Sequence, residues 1–151
     1  MSFPAKVAVP AEPPEGLLQG LRVTSPRAVA KNQFDYLVEV ESEEQLRALD
    51  PDHTVLRRIP VRGVIVTARS STSEFDFVSR FFAPGSGVDE DPVIGSAHTA
   101  LAPYWAGKLG KTEMTGYQAS RRGGVVRVRM DGDRVILGGQ AVTVAHITLL
   151  A

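Results

Sequence analysis

Cysteine is absent from the sequence, which excludes disulfides and thiolate metal sites. Neither sign of charge is in excess. Seventeen Lys and Arg balance seventeen Asp and Glu, so no global field draws the chain to nucleic acid or to a membrane surface. Apolar runs are short, and none approaches the ~20 residues of a membrane span. Nothing at the N-terminus resembles a signal peptide, so the expected location is cytoplasmic. Histidine is scarce: His53, His98 and His146 stand far apart without ligand spacing, and no metal site is expected. The remaining composition, 43% hydrophobic and 23% charged over 151 residues, is that of a single domain long enough to bury a core.

Residues 1–14 carry Pro4, Pro10, Pro13 and Pro14 and read as an extended proline-rich arm. Pro14 to Leu21 suits a short helix. Phe34 to Glu41 alternates and is rich in β-formers, the pattern of a strand. Ser42 with Gln45 reads as a capping box, and Asp52 as the cap of a second short helix. Gly63 to Ala68 is a continuous apolar run, a buried strand, and Phe75 to Phe82 returns antiparallel to it. A helix from Ser96 places Ala97, Ala100, Leu101, Tyr104, Trp105 and Leu109 on one face. Pro103 removes one of its hydrogen bonds and bends it. Thr112 to Ala119 is a strand. Val125 to Met130 and Arg134 onward form a hairpin over Asp131-Gly132, a type I′ signal, with a bulge at Gly138-Gly139. The order predicts an α+β fold: a mostly antiparallel sheet wrapped around a central helix.

Chemistry concentrates between Phe75 and Gly110, where an acidic loop (Asp89, Glu90, Asp91) runs through Pro92 into a helix that starts at Gly95-Ser96. The first N–H groups of a helix lack intrahelical partners and carry partial positive charge. Gly95 admits close approach to the backbone. Ser96 can cap the helix or turn its hydroxyl outward. A small anion such as a carboxylate fits these donors, and Asp91 is placed to hold an amine, a hydroxyl or a proton. The bland alternative is a capped helix behind a solvated acidic loop.

Other combinations are weaker. Ser96 and His98, two apart on a helix, diverge and cannot act as a nucleophile and its base, so His98 reads as a packed helix residue. Gly85-Ser86-Gly87 lacks the Walker lysine and dinucleotide spacing. The arginines at 121, 122, 127, 129 and 134 have no interleaved aromatics for RNA stacking and read as a solvated sheet face.

The strings Arg80-Phe81-Phe82-Ala83-Pro84 and Glu90-Asp91-Pro92-Val93-Ile94-Gly95-Ser96-Ala97-His98 resemble the second-half signature of the phenazine-biosynthesis-like (PhzF) isomerases, relatives of diaminopimelate epimerase. The likeness continues through Ala102-Pro103-Tyr104-Trp105, Tyr117-Gln118-Ala119-Ser120, Arg122-Gly123-Gly124 and Gly138-Gly139-Gln140-Ala141-Val142. Position 94, usually Thr in that signature, is Ile94 here. The resemblance implies one half of a diaminopimelate epimerase-like fold. It implies a proton shift on a small carboxylated metabolite without metal or cofactor, with Asp91 orienting the substrate and the Gly95 and Ser96 N–H groups holding its anionic group. Cysteine-pair epimerases are excluded as models. Family members are about twice as long, and their first half supplies the acid/base Glu, for which this sequence shows no counterpart. Half an isomerase, inactive alone and paired with a separate N-terminal-half chain or as a homodimer, is therefore expected. A non-catalytic anion-binding domain and a hotdog-type acyl-thioester enzyme are the alternatives.

Overall fold

The structure, a computed structural model, describes residues 1–149. It is an α+β fold with one curled nine-stranded sheet. Its strands are β1 (Ser2–Pro4), β2 (Val9–Pro10), β3 (Ala28–Lys31), β4 (Asp35–Glu39), β5 (Gly63–Arg69), β6 (Phe77–Phe82), β7 (Glu113–Gln118), β8 (Gly124–Asp131) and β9 (Arg134–Gly138). Its helices are α1 (Leu17–Leu21), α2 (Glu43–Arg47), α3 (His53–Leu56) and α4 (Gly95–Leu109). The strand order is β1-β9-β8-β7-β6-β5-β4-β3-β2. Pairing is antiparallel except for β4 with β5 and β6 with β7, which are parallel.

Residues 1–14 do more than extend: they supply both edges of the sheet. β1 pairs with β9 and β2 with β3. Nine flat strands would span roughly 38 Å at ~4.8 Å each. Only residues 5–8 separate the two edge strands, and that span reaches at most about 18 Å. The sheet must therefore curl until its edges approach each other. Lys6, midway along this strap, donates its N–H to the carbonyl of Thr99 at 2.9 Å. That carbonyl is free because Pro103, four residues on, has no N–H to offer it. The proline of α4 thus creates the acceptor that holds the strap.

Alternation divides the interior. Leu37, Ile65, Phe77, Phe81, Met114, Val126, Val128, Val135 and Leu137 share one core with the small face of α4, Ala97, Ala100, Leu101, Ala102 and Trp105. Tyr36, Val38, Val64, Val66, Val78 and Phe82 point the other way and meet Leu17, Leu21, Leu46 and Leu56 of the short helices. The alanines of α4 let the sheet approach closely. Trp105 stacks on Phe77 with centroids 5.9 Å apart, and its indole N–H donates to the buried Thr67 hydroxyl at 3.0 Å.

The local caps follow the sequence. Ser42 Oγ accepts from the Gln45 N–H at 3.1 Å, and the Gln45 side chain reaches back to the Glu41 N–H at 3.0 Å. Asp52 caps the Thr54 and Val55 N–H groups. Two expectations at the end of the chain need correction. The β8–β9 loop is Gly132-Asp133, with positive φ at Gly132 (61°) and not at Asp133. That is the requirement of a II′ turn, not of the expected I′. No bulge forms at Gly138-Gly139, since β9 ends at Gly138. β3 was not anticipated, because four residues are too few to show a period.

Candidate functional site

The start of α4 is built by neighbouring backbone and side chains. Ile94 occupies the N-cap position in an extended conformation and offers no side-chain oxygen. Ser96, a candidate cap by residue type, instead sits inside the first turn. The turn preceding the helix is held from below by Gln118, which is fully buried. Gln118 Nε2 donates to the Asp91 carbonyl at 2.6 Å, and its Oε1 accepts the Ile94 N–H at 3.0 Å. Ser120 Oγ donates to the Pro92 carbonyl at 2.6 Å. Both ends of the turn are thereby fixed relative to β7.

With Ile94 N–H occupied, the N–H groups of Gly95 and Ser96 make no hydrogen bond among the described residues. Gly95 is exposed, and a Cβ added there would meet only Leu137 Cδ1, at 3.3 Å. These are open donors at the positive end of a fifteen-residue helix.

The three acids of the loop separate. Glu90 forms a two-point ion pair with Arg80, at 2.7 and 3.0 Å, and Arg80 also donates to the Leu49 carbonyl. Asp89 faces Arg57 at the surface, 3.4 Å away. Asp91 alone keeps a carboxylate without a hydrogen bond among the described residues, while its N–H donates to the Phe81 carbonyl at 3.0 Å.

Gly95 and Ser96 border a cavity of about 380 Å³ whose wall also includes Lys6, Phe34, Asp35 and Arg62. Asp91 is not on that wall. Arg62 Nη1 donates to Ser96 Oγ at 2.9 Å, and its Nε and Nη2 bind both oxygens of the buried Asp35 carboxylate. Sequence reasoning missed Arg62 and Asp35, since neither carries a motif. Gln118 was visible only as part of a family string.

His98 lies beneath the turn. It is buried, and its Nδ1 donates to the Ile94 carbonyl at 2.9 Å, leaving Nε2 without a proton or a partner. Burial pushes its pKa down to about 4, so the ring is neutral near pH 7. It is packed in the core, as its helical position suggested. Along β8, Val125, Arg127 and Arg129 are exposed while Val126 and Val128 are buried, a solvated basic face. No group of ligand-type side chains fit to hold a metal occurs among the described residues, and none of their helices is long and apolar enough to cross a membrane.

The phenazine biosynthesis-like protein model matches residues 15–147. A protein of Halalkalibacterium halodurans described as an uncharacterized isomerase is 50% identical over 137 residues, covering 91% of this chain and 51% of that one. One from Pseudomonas aeruginosa with the same description is 47% identical over 149 residues, covering 99% and 56%. The chain spans about half the length of the curated relatives it matches. The crystal structure of a phenazine biosynthesis protein of the PhzF family from Enterococcus faecalis superposes with a TM-score of 0.88 at 34% identity, covering 96% of this chain and 55% of that one. With a family model matching residues 15–147, most of its length, the chain belongs to the phenazine biosynthesis-like (PhzC-PhzF) family.

Proposed function

We propose that this chain is the C-terminal half of a cofactor-independent isomerase with a diaminopimelate epimerase-like fold, acting on a small carboxylated metabolite. The observation that carries this reading is the turn from Asp91 to Ser96. It combines one unpaired carboxylate with two unpaired N–H groups, on backbone that Gln118 holds rigid. The relatives' description as isomerases supports the reaction class. In this reading the Gly95 and Ser96 N–H groups take the substrate's anionic group and so favour charge that builds up beside it. Asp91 orients the substrate by accepting from its amine or hydroxyl. The reaction removes a proton from one carbon and returns one to another, with no net change of atoms or electrons. An acid/base carboxyl from a first half performs that shuttle. The chain meets that first half, or a second copy of itself, across the face that carries the start of α4. The family match favours this reading over a hotdog-type thioesterase.

The test is an isomerisation assay in D₂O that follows deuterium incorporation into small carboxylates. It uses the chain alone and the chain mixed with a separately made first half of a relative, with sedimentation on both samples. No incorporation is expected from the chain alone, and incorporation dependent on Asp91 is expected from the mixture. Robust exchange by the chain alone, abolished in Asp91→Asn, overturns the claim that a first half is needed. Absence of exchange from a mixture that does associate overturns the isomerase reading.

A further inference from the structure

The guanidinium of Arg62 is the most constrained cation near the start of α4. Asp35, 1% exposed, accepts from its Nε at 2.9 Å and from Nη2. Ser96 Oγ accepts from Nη1 at 2.9 Å. Its Cζ lies 5.4 Å from the Phe34 ring centroid and 5.7 Å from that of Phe81, contacts that favour a cation over aromatic faces. A guanidinium carries five N–H donors. Three are used, so one on Nη1 and one on Nη2 have no partner among the described residues. The side chain is 35% exposed, and it borders the cavity that Gly95 and Ser96 share.

Charge and shape define what fits. Asp35 neutralises Arg62 in net terms but occupies only its Nε–Nη2 side, and both oxygens of Asp35 are turned to the guanidinium. Lys6, on the strap between β1 and β2, adds a second cation on the cavity wall and has no carboxylate partner among the salt bridges of the described residues. Phe3, Pro4 and Phe34 make the rest of that wall largely apolar. A planar carboxylate is the group that matches an arginine fork at two points, and an apolar body suits the remaining wall.

We propose that Arg62 is a carboxylate-recognition residue. Its unpaired Nη N–H groups, beside the Ser96 hydroxyl, bind the carboxylate of a small ligand with an apolar body, and Asp35 holds the guanidinium in register. This deepens the reading above and rests on it, since it assigns the anionic end of the substrate to the cavity side of α4. Arg62 then selects for the negative charge, and the helix-start N–H groups remain for a second oxygen of the same ligand.

The test is an NMR titration of the full chain with benzoate, with benzamide as its neutral counterpart. Benzoate is expected to shift the Ser96 amide and the Arg62 guanidinium signals, and benzamide to leave both unmoved. The double substitution D35N/R62Q removes both members of the pair, so that no buried charge is stranded, and is expected to weaken benzoate at least tenfold. Should that variant not fold, R62K keeps the cation without the fork and is expected to weaken benzoate several-fold at unchanged fold. R122Q, at an arginine away from this cavity, is expected to bind as the parent does. Unchanged affinity in D35N/R62Q or R62K, with shifts still centred on Gly95 and Ser96, overturns the role of Arg62 and leaves the helix-start reading intact. Equal binding of benzamide overturns charge recognition. No shift with benzoate at all overturns both.

Discussion

At its C-terminal end α4 is closed. Gly110 turns the chain with φ 63° and returns its N–H to the Ala106 carbonyl at 3.0 Å. Lys108 and Tyr104 both donate to the buried carboxylate of Glu39, and burial together with that carboxylate pushes the Tyr104 phenol well above its ordinary value. The N-terminal end is finished differently: no side chain caps it, Ile94 supplies only backbone, and Gly95 leaves the first turn bare. Strand β4 reaches both ends. Asp35 and Glu39, four residues apart on one face of the strand, are separated by roughly 13 Å. The span from Ser96 to Tyr104 along the helix is about 12 Å. One acid meets the N-terminal end through Arg62, and the other seals the C-terminal end directly.

Capping is not foreign to this chain. α2 and α3, only five and four residues long, have side-chain caps in Ser42 and Asp52. α4 is the longest helix among the described residues and starts without one. Few internal hydrogen bonds hold a short helix, and a side-chain cap adds to them in α2 and α3, though α1, also five residues long, has none. α4 is held by its core and can leave its first donors open. Rigidity at the open end comes from Gln118, outside the helix, and from His98 in its first turn, both of which grip the preceding turn.

The largest expected way to separate the two ends is acid. His98 titrates near pH 4 in the folded chain, below its ordinary 6.5. Between those values the unfolded chain binds the extra proton, so stability is full above about pH 6.5 and falls as pH drops toward 4. The loss is of order 3 kcal/mol across that window. Urea midpoints from pH 7 to 4 should show this slope in the parent. H98Q, which keeps a donor for the Ile94 carbonyl, should flatten it. An equal slope in both would place the acid sensitivity elsewhere.

A smaller effect is the difference in stability, about 1–2 kcal/mol, expected between Gln118→Leu and Glu39→Gln. The first leaves the Ile94 N–H and the Asp91 carbonyl without their partner and should cost about 2–4 kcal/mol. It should also weaken benzoate binding. The second keeps acceptors for Tyr104 and Lys108 but removes the charge, and should cost about 1–2 kcal/mol with benzoate affinity unchanged. Thermal melts and the benzoate titration read both quantities. A loss of affinity in Glu39→Gln would show that the two ends are not independent.

The smallest effect is expected from Ile94→Thr. An N-cap Thr contributes about 0.5–1 kcal/mol, while the lost burial of a half-buried Ile offsets a similar amount, so stability should move by less than about 0.5 kcal/mol. The new oxygen should instead protect the Ser96 and Ala97 amides from hydrogen exchange and compete with an anion for them. Unchanged exchange at those amides would mean that position 94 does not govern how open the end is.

Much of this was legible in the sequence. The capping boxes, the strand runs, the long helix and its start at Gly95 follow from residue types a few positions apart, because propensity, caps and periodicity are local. The string from Glu90 to His98 marked the turn. Gly132 was legible as a turn residue, but its turn type was not: the pairing of Asp131 with Arg134 puts Gly132 at the first loop position in place of Asp131, and that register is not set locally.

What the sequence determined by itself was the inventory: one long helix that starts at a glycine, an acidic loop before it, no thiol, and no run long enough for a membrane. What only tertiary structure decided was the fate of polar groups that alternation assigns to solvent. Asp35 and Glu39 fall on the polar phase of Phe34–Glu41, yet both are buried, because α4 covers one face of β4 while the short helices cover the other. Arg62, Gln118 and Lys6 reached the first turn of α4 from 34 residues before Ser96, 22 after it, and the middle of the strap. Contacts at such separations depend on how the sheet curls, and the curl is set by a strap too short to let its two edges part.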